Sequence, residues 1–177
     1  MTPDSVGPLS RPFPLHRVTP AGVETQIEAS AAERAALAAD LGLPAIHRLE
    51  ARFRLAGGRD RIALKGRVSA AIEQTCVVTL EAFPSDVEED VEMTFATPDP
   101  RNRATPLDEL ELSLESDPPE ELLGDTIDLG AIAAEFLALG LDPYPRKPGI
   151  TFEAGDPQEH DSPFAKLAQL RPKEGER

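Results

Sequence analysis

The stretch from Arg48 to Glu73 constrains the fold most. Leu49, Ala51, Phe53 and Leu55 alternate with Arg48, Glu50, Arg52 and Arg54. Beyond the turn-like Ala56-Gly57-Gly58-Arg59-Asp60, the set Ile62, Leu64, Gly66, Val68, Ala70 and Ile72 alternates with Arg61, Ala63, Lys65, Arg67, Ser69 and Glu73. Period-two alternation on both sides of a glycine-rich turn predicts an antiparallel strand pair, one face buried and the other in water. A helix would scatter the same apolar residues around its circumference. Of the seven basic residues here, all but Arg59 fall on the solvent face.

The flanking chain reads as shorter elements. The first twelve residues are rich in Pro, Ser and Gly and are expected to be loose. Phe13 to Val18 and Gly22 to Ile27 are extended candidates. Ser30-Ala-Ala-Glu33 is a capping box opening an Ala-rich helix to about Leu41, with Gly42 as its stop. Thr75 to Leu80 reads as an extended apolar run around Cys76, and Phe83-Pro84-Ser85-Asp86 as a turn. Val87 to Ala96 alternates again, with Glu88, Asp90 and Glu92 outward. Thr97 to Thr105 reads as a loop, Glu109 to Leu114 as one more strand, and Ser116 to Asp125 as a solvated acidic loop. Asp128 is a good N-cap for a helix from Leu129 to about Leu139, where Leu129, Ile132, Ala133, Phe136 and Leu137 form an apolar stripe. Pro143-Tyr144-Pro145 then enforces an extended path.

At 177 residues the chain is long enough for one domain. The expected organisation is a flexible 1–12, a single domain over 13–150, and a largely flexible tail over 151–177 with a short helix near 163–170. The fold class expected is α+β: a twisted antiparallel sheet or partly open barrel with strands at 46–56, 61–73, 76–82 and 87–96, two packed helices and a mobile C-terminal tail.

Charge is unevenly spread. Arg48 to Arg67 carries a net +5, while Glu81 to Asp128 holds sixteen acidic and two basic residues, a local excess equal to the whole chain's −14. So acidic a chain does not coat nucleic acid nonspecifically. The outward row Arg48, Arg52, Arg54, Lys65 and Arg67 is the candidate RNA contact. Its bland alternative is cross-strand pairing with acids. The acidic block can attract a basic ribosomal protein. In the tail, Pro163, Phe164 and Leu167 are candidate partner-docking residues, the alternative being docking on the chain's own sheet. No apolar run reaches the ~18 residues of a membrane span, and the N-terminus lacks a secretory pattern, so the expectation is a cytoplasmic protein without membrane contact.

The sequence offers no constellation for a reaction. Its three histidines, His16, His47 and His160, lie in separate segments without metal-ligand spacing, and its one cysteine rules out an intrachain disulfide. A Cys76–His47 pair is conceivable in space. Cys76, however, lies in an apolar run without a basic neighbour to acidify it, which favours a small core thiol. No phosphate-binding glycine motif or nucleophile elbow is present. No cofactor, metal or small-molecule substrate is expected.

The order of motifs is more specific. A strand hairpin leads into Thr75-Cys76-Val77-Val78-Thr79-Leu80-Glu81. An acidic strand and loop follow, then Ile127-Asp128-Leu129-Gly130, a helix, and Leu139-Gly140-Leu141-Asp142-Pro143-Tyr144-Pro145. The tail carries Ser162-Pro163-Phe164-Ala165-Lys166-Leu167. This order resembles the YceD family, the large ribosomal RNA subunit accumulation proteins, over roughly residues 45–172. Many members of that family carry Cys-x-x-Cys at the first motif. Here Cys76 matches the first cysteine and Thr79 stands at the second, which removes a dithiol role. The resemblance implies a part in the synthesis, processing or protection of large-subunit (23S) ribosomal RNA and brings no catalytic residues with it.

Three readings follow. The leading one is a non-enzymatic ribosome-biogenesis factor whose partner is large-subunit rRNA or the pre-50S particle. The second is an acidic protein-binding adaptor that does not act on RNA. The third is a metal-dependent hydrolase or nuclease, for which only the acidic block supplies carboxylates.

Overall fold

Alternating apolar residues do build the centre of the molecule. The computed structural model describes residues 7–58, 60–97, 119–122 and 124–151. The chain divides into two units, Met1–Lys147 and Pro148–Arg177, and every element below lies in the first. In chain order these are β1 (Pro12–Pro14), a single 3-10 turn (Leu15–Arg17), β2 (Val23–Glu28), α1 (Ala31–Leu41) and β3 (Ala45–Gly57). Then come β4 (Arg61–Thr75), β5 (Ala82–Ala96), β6 (Glu120–Glu121), β7 (Thr126–Asp128) and α2 (Leu129–Leu139).

The main sheet has five strands in the order β2-β3-β4-β5-β6 and stays open. Its pairs are antiparallel except β5 with β6, so the sheet is mixed rather than purely antiparallel. β1 and β7 form a separate two-stranded pair. Leu49, Ala51, Phe53 and Leu55 of β3, Leu64, Val68 and Ile72 of β4, and Val87, Val91 and Phe95 of β5 line one buried face. Leu37 and Ala38 of α1 and Leu129, Ile132, Ala133 and Leu137 of α2 complete the core. The other face meets water, as the alternation requires.

Both helices begin as their caps dictate. The Ser30 N–H donates to Glu33 Oε2 at 2.8 Å, and the Ser30 hydroxyl accepts the Glu33 N–H at 3.4 Å. Asp128 Oδ1 accepts the Gly130 and Ala131 N–H groups at 2.9 and 3.1 Å. The same carboxylate also holds the chain's beginning: its Oδ1 accepts the Arg11 N–H at 2.7 Å, and its Oδ2 accepts the Ser10 hydroxyl. Arg11 in turn grips Glu33 of α1 through two bonds, at 2.6 and 2.9 Å. The N-terminal segment expected to be loose is therefore pinned from Leu9 onward, and Leu9 itself is buried.

Four local readings are corrected. The 76–82 segment is not a strand: residues 76–80 form a turn between β4 and β5, closed by the Leu80 N–H on the Cys76 carbonyl at 2.9 Å and the Cys76 N–H on the Glu81 carbonyl at 2.9 Å. Phe83-Pro84-Ser85-Asp86 is not a turn but the start of β5, with Pro84 opposite Glu73. Proline is tolerated there because β5 has no described neighbour along this stretch on its other side, so no ladder bond needs its missing N–H. Glu120–Glu121, read as solvated loop, pairs with Phe95 and Ala96. Phe13 to Val18 is extended only as far as Pro14 before the 3-10 turn. The expected strand at 109–114 and the tail helix near 163–170 lie outside the described residues.

Candidate functional site

Strand register decides which outward charges meet. Antiparallel pairing sets directly opposed residues on the same face. Across β2, β3, β4 and β5, one row runs Glu24, Arg54, Lys65, Glu92. The next runs Gln26, Arg52, Arg67, Asp90, and the third Glu28, Glu50, Ser69, Glu88. Arg52, Arg54, Lys65 and Arg67 thus occupy the corners of a rectangle roughly 5 by 7 Å at the backbone, from strand spacing and two-residue rise. Carboxylates stand on either side of it, on β2 and β5.

Four of the five basic candidates come together; Arg48 does not. In the register that sets Glu50 opposite Ser69, Arg48 sits opposite Ala71, beyond the acidic third row, and the one bulge of this pair follows only past it, between Arg48 and Ile46. It lies 3.9 Å from Glu50. Within the rectangle, Arg54 Nη1 is 3.2 Å from Glu24 Oε1, Lys65 Nζ is 2.6 Å from Glu92 Oε1, and Arg67 Nε donates to Asp90 Oδ1 at 2.8 Å. The hydrogen bond between Arg67 and Asp90 raises the guanidinium pKa and lowers that of the carboxyl. Arg52 makes no ion pair among the described residues. A shallow cleft of about 410 Å³ opens here, lined by Glu24, Gln26, Arg52, Arg54 and Lys65 over the backbone of Thr25, Phe53 and Gly66. Exposed pairs of this kind contribute little to stability. They leave most guanidinium donors unused, so the face remains chemically available.

The end of the molecule where β4 turns into β5 carries a second constellation that sequence reasoning missed. Cys76 is a fully buried thiol, as expected, but it lies apart from the contiguous apolar cluster of sheet and helices. Its pKa is lowered to about 6: the Lys147 backbone N–H is the main donor to the sulfur, the Thr79 hydroxyl and N–H add to it, and burial opposes them. His47 does not serve Cys76; its Nε2 lies 3.1 Å from Glu73. The turn is stitched to the segment after α2. The Val77 N–H reaches the Pro145 carbonyl at 2.9 Å, Gln74 Nε2 the Asp142 carbonyl at 3.2 Å, and Lys147 Nζ Glu81 Oε2 at 3.0 Å. Val77, Leu80 and Tyr144 are exposed around this seam, with Leu80 at a left-handed φ of 59°. The available signal was the family's Cys-x-x-Cys: two side chains three residues apart meet at a turn, not along a strand.

Pro163, Phe164 and Leu167 fall outside the described residues. Among the described residues, no three His, Cys, Asp or Glu side chains converge as a metal site.

The two motifs joined at this seam, and the Ile127-Asp128-Leu129-Gly130 start of α2, are among those that carry the resemblance; the Ser162-to-Leu167 motif lies outside the described residues. The family model for the large ribosomal RNA subunit accumulation protein YceD matches residues 64–171, more than half of the chain. The chain belongs to the YceD family. That membership supports a role in ribosome biogenesis. Comparison with curated proteins and with solved structures gave no match. Among the described residues, no helix is long and apolar enough to cross a membrane.

Proposed function

We propose that this YceD-family chain is a non-catalytic, cytoplasmic ribosome-biogenesis factor. It supports accumulation of large-subunit (23S) rRNA by contacting the RNA of the pre-50S particle. The observation that carries this reading is the cationic rectangle Arg52, Arg54, Lys65 and Arg67 on a rigid, solvated sheet face. Backbone phosphates are its natural counter-charge, and contacts of this kind position an RNA without reading its sequence. The acidic columns confine the attraction to this spot and keep a chain of net charge −14 from coating RNA at large. The outward acids of β5 (Glu88, Asp90, Glu92) offer a basic ribosomal protein an adjoining contact.

Pelleting of purified pre-50S particles with the full chain over a salt series tests this. The protein is expected to co-sediment at low salt, and log K to fall with log salt at a slope near −0.7 per phosphate contacted. The double variant R52Q/R67Q is expected to lower both the affinity and the slope. Unchanged binding by that variant would contradict the reading. The adaptor reading has one feature in its favour, the exposed Val77, Leu80 and Tyr144 beside the Cys76 turn. It predicts salt-insensitive capture of a protein, lost in L80D and retained in R52Q/R67Q.

A further inference from the structure

The geometry points to a receptor for the terminal phosphate of a single-stranded RNA in the cleft lined by Arg52, Arg54 and Lys65, with Arg67 beside it. This rests on the reading of the outer face as an RNA contact and narrows it to one chemical group. The first argument is enclosure. Glu24 stands on one side of the rectangle, Asp90 and Glu92 on the opposite side, and Glu28, Glu50 and Glu88 across its end. On the fourth side the next outward residues are Ala56, Ala63 and Thr94, small and uncharged. An RNA strand that enters over these residues meets four cations and then a wall of carboxylates. A backbone running on through the site would carry its next phosphates over acids, whereas a strand that ends there does not.

The second argument is charge. An internal phosphodiester carries one negative charge, whereas a terminal phosphomonoester carries close to −2 near neutral pH. Three cations, Arg52, Arg54 and Lys65, line the cleft of about 410 Å³, and Arg67 stands opposite Arg52 beside it, a charge that suits the dianion. Arg54 and Arg67 each hold a carboxylate through one of five N–H donors, and Arg54 gives one more to the Ala21 carbonyl at 2.8 Å, so both can bind phosphate without breaking those pairs. Arg52, without an ion pair among the described residues, has its whole fork available. The third argument is width. The acidic columns of β2 and β5 lie three strand spacings apart, roughly 14 Å. A duplex laid between them would press its second phosphate row onto one of the columns.

Affinity measurements with the full chain at low, fixed salt test this. The probes are oligouridine decamers ending in a 5′-phosphate, in a 3′-phosphate or in hydroxyls at both ends, and a blunt 5′-phosphorylated duplex. One phosphate-ended single strand is expected to bind about tenfold tighter than the hydroxyl-ended one, the factor of a single well-placed charge-assisted contact. Which end it is identifies the source of the phosphate. R52Q is expected to abolish most of that preference. E50Q, which lowers the wall, is expected to narrow it by improving the hydroxyl-ended strand. Equal affinity for phosphate- and hydroxyl-ended strands would overturn the terminal-phosphate receptor while leaving RNA contact in place. Failure of every RNA to bind would overturn both.

Discussion

Asp128 joins two distant parts of this fold. One carboxylate caps α2, ties down the Arg11 backbone and accepts the Ser10 hydroxyl. Loss of an N-cap alone costs about 1 kcal/mol. Because D128A also releases the N-terminal segment, a loss of about 2–3 kcal/mol is expected from urea denaturation. Burial alone would raise the Asp128 pKa, but bonds from Ser10, Arg11, Ala131 and Gly130 together hold it below the ordinary carboxylate value. Glu33 is lowered to about 2, chiefly by Arg11 and then by Ser30. Both folded-state values lie below the unfolded ones, so the stabilisation is complete above the unfolded carboxylate pKa of about 4. It is lost as pH falls from there through the folded values. Urea midpoints measured from pH 6 down to pH 2 should drop in the wild type, and the drop should shrink in D128N. Next to it, Gly130 has no room for a methyl group: a Cβ would lie 2.7 Å from the Arg11 nitrogen and 2.9 Å from the Leu9 carbonyl oxygen. Although alanine is the better helix former by about 1 kcal/mol, G130A is expected to lose about 1–3 kcal/mol net by the same denaturation assay.

At the scale of elements, the turn between β4 and β5 is held from a distance. Its bonds run to Pro145 and Lys147, some seventy positions along the chain. That is why Thr75 to Leu80 reads as strand: β-branched and apolar residues fill it, and no Gly or Asn marks the left-handed position that Leu80 takes. The hairpin of β3 and β4 was legible for the opposite reason, since period-two alternation and a glycine turn are local signals. The caps at Ser30 and Asp128 were legible likewise. The opposition of acidic and basic rows was foreseeable once β5 was set against β4, and Lys65 with Glu92 and Arg67 with Asp90 realise it. Arg48 stands apart because Glu50 intervenes on the same alternating face, and its pairing with Ala71 keeps the register in which Glu50 faces Ser69. The turn carries its own prediction. The Cys76 thiol, at about 6 when folded, lies below the unfolded thiol near 8.5. Its stabilisation is therefore complete above the unfolded value and lost as pH falls through about 6. Ultraviolet thiolate absorbance should show a midpoint near 6, and T79V, lacking the hydroxyl donor, should raise it. A midpoint near 8.5 in the folded wild type would refute this account of the turn.

For the molecule as a whole, one sheet divides the labour. Its inner face is sealed by α1, α2 and the pinned N-terminal segment, and its outer face presents an ordered pattern of charge. Rigid strands fix that pattern to within a register, which a loop would not do. The family assignment supplies the biological setting, and the outer face supplies the proposed means. Because the rectangle's side chains are exposed and their ion pairs worth little, R52Q/R67Q should fold with a melting temperature within a few degrees of the wild type. Any functional loss in that variant then reports on contact rather than on folding. The most direct test is complementation in cells depleted of this protein, read by sucrose-gradient profiles and quantified precursor and mature rRNA. Depletion is expected to lower 23S rRNA and 50S particles selectively, the wild-type chain to restore them, and R52Q/R67Q at equal abundance to fall short. Normal ribosome profiles after full depletion, or complete rescue by R52Q/R67Q, would contradict the account.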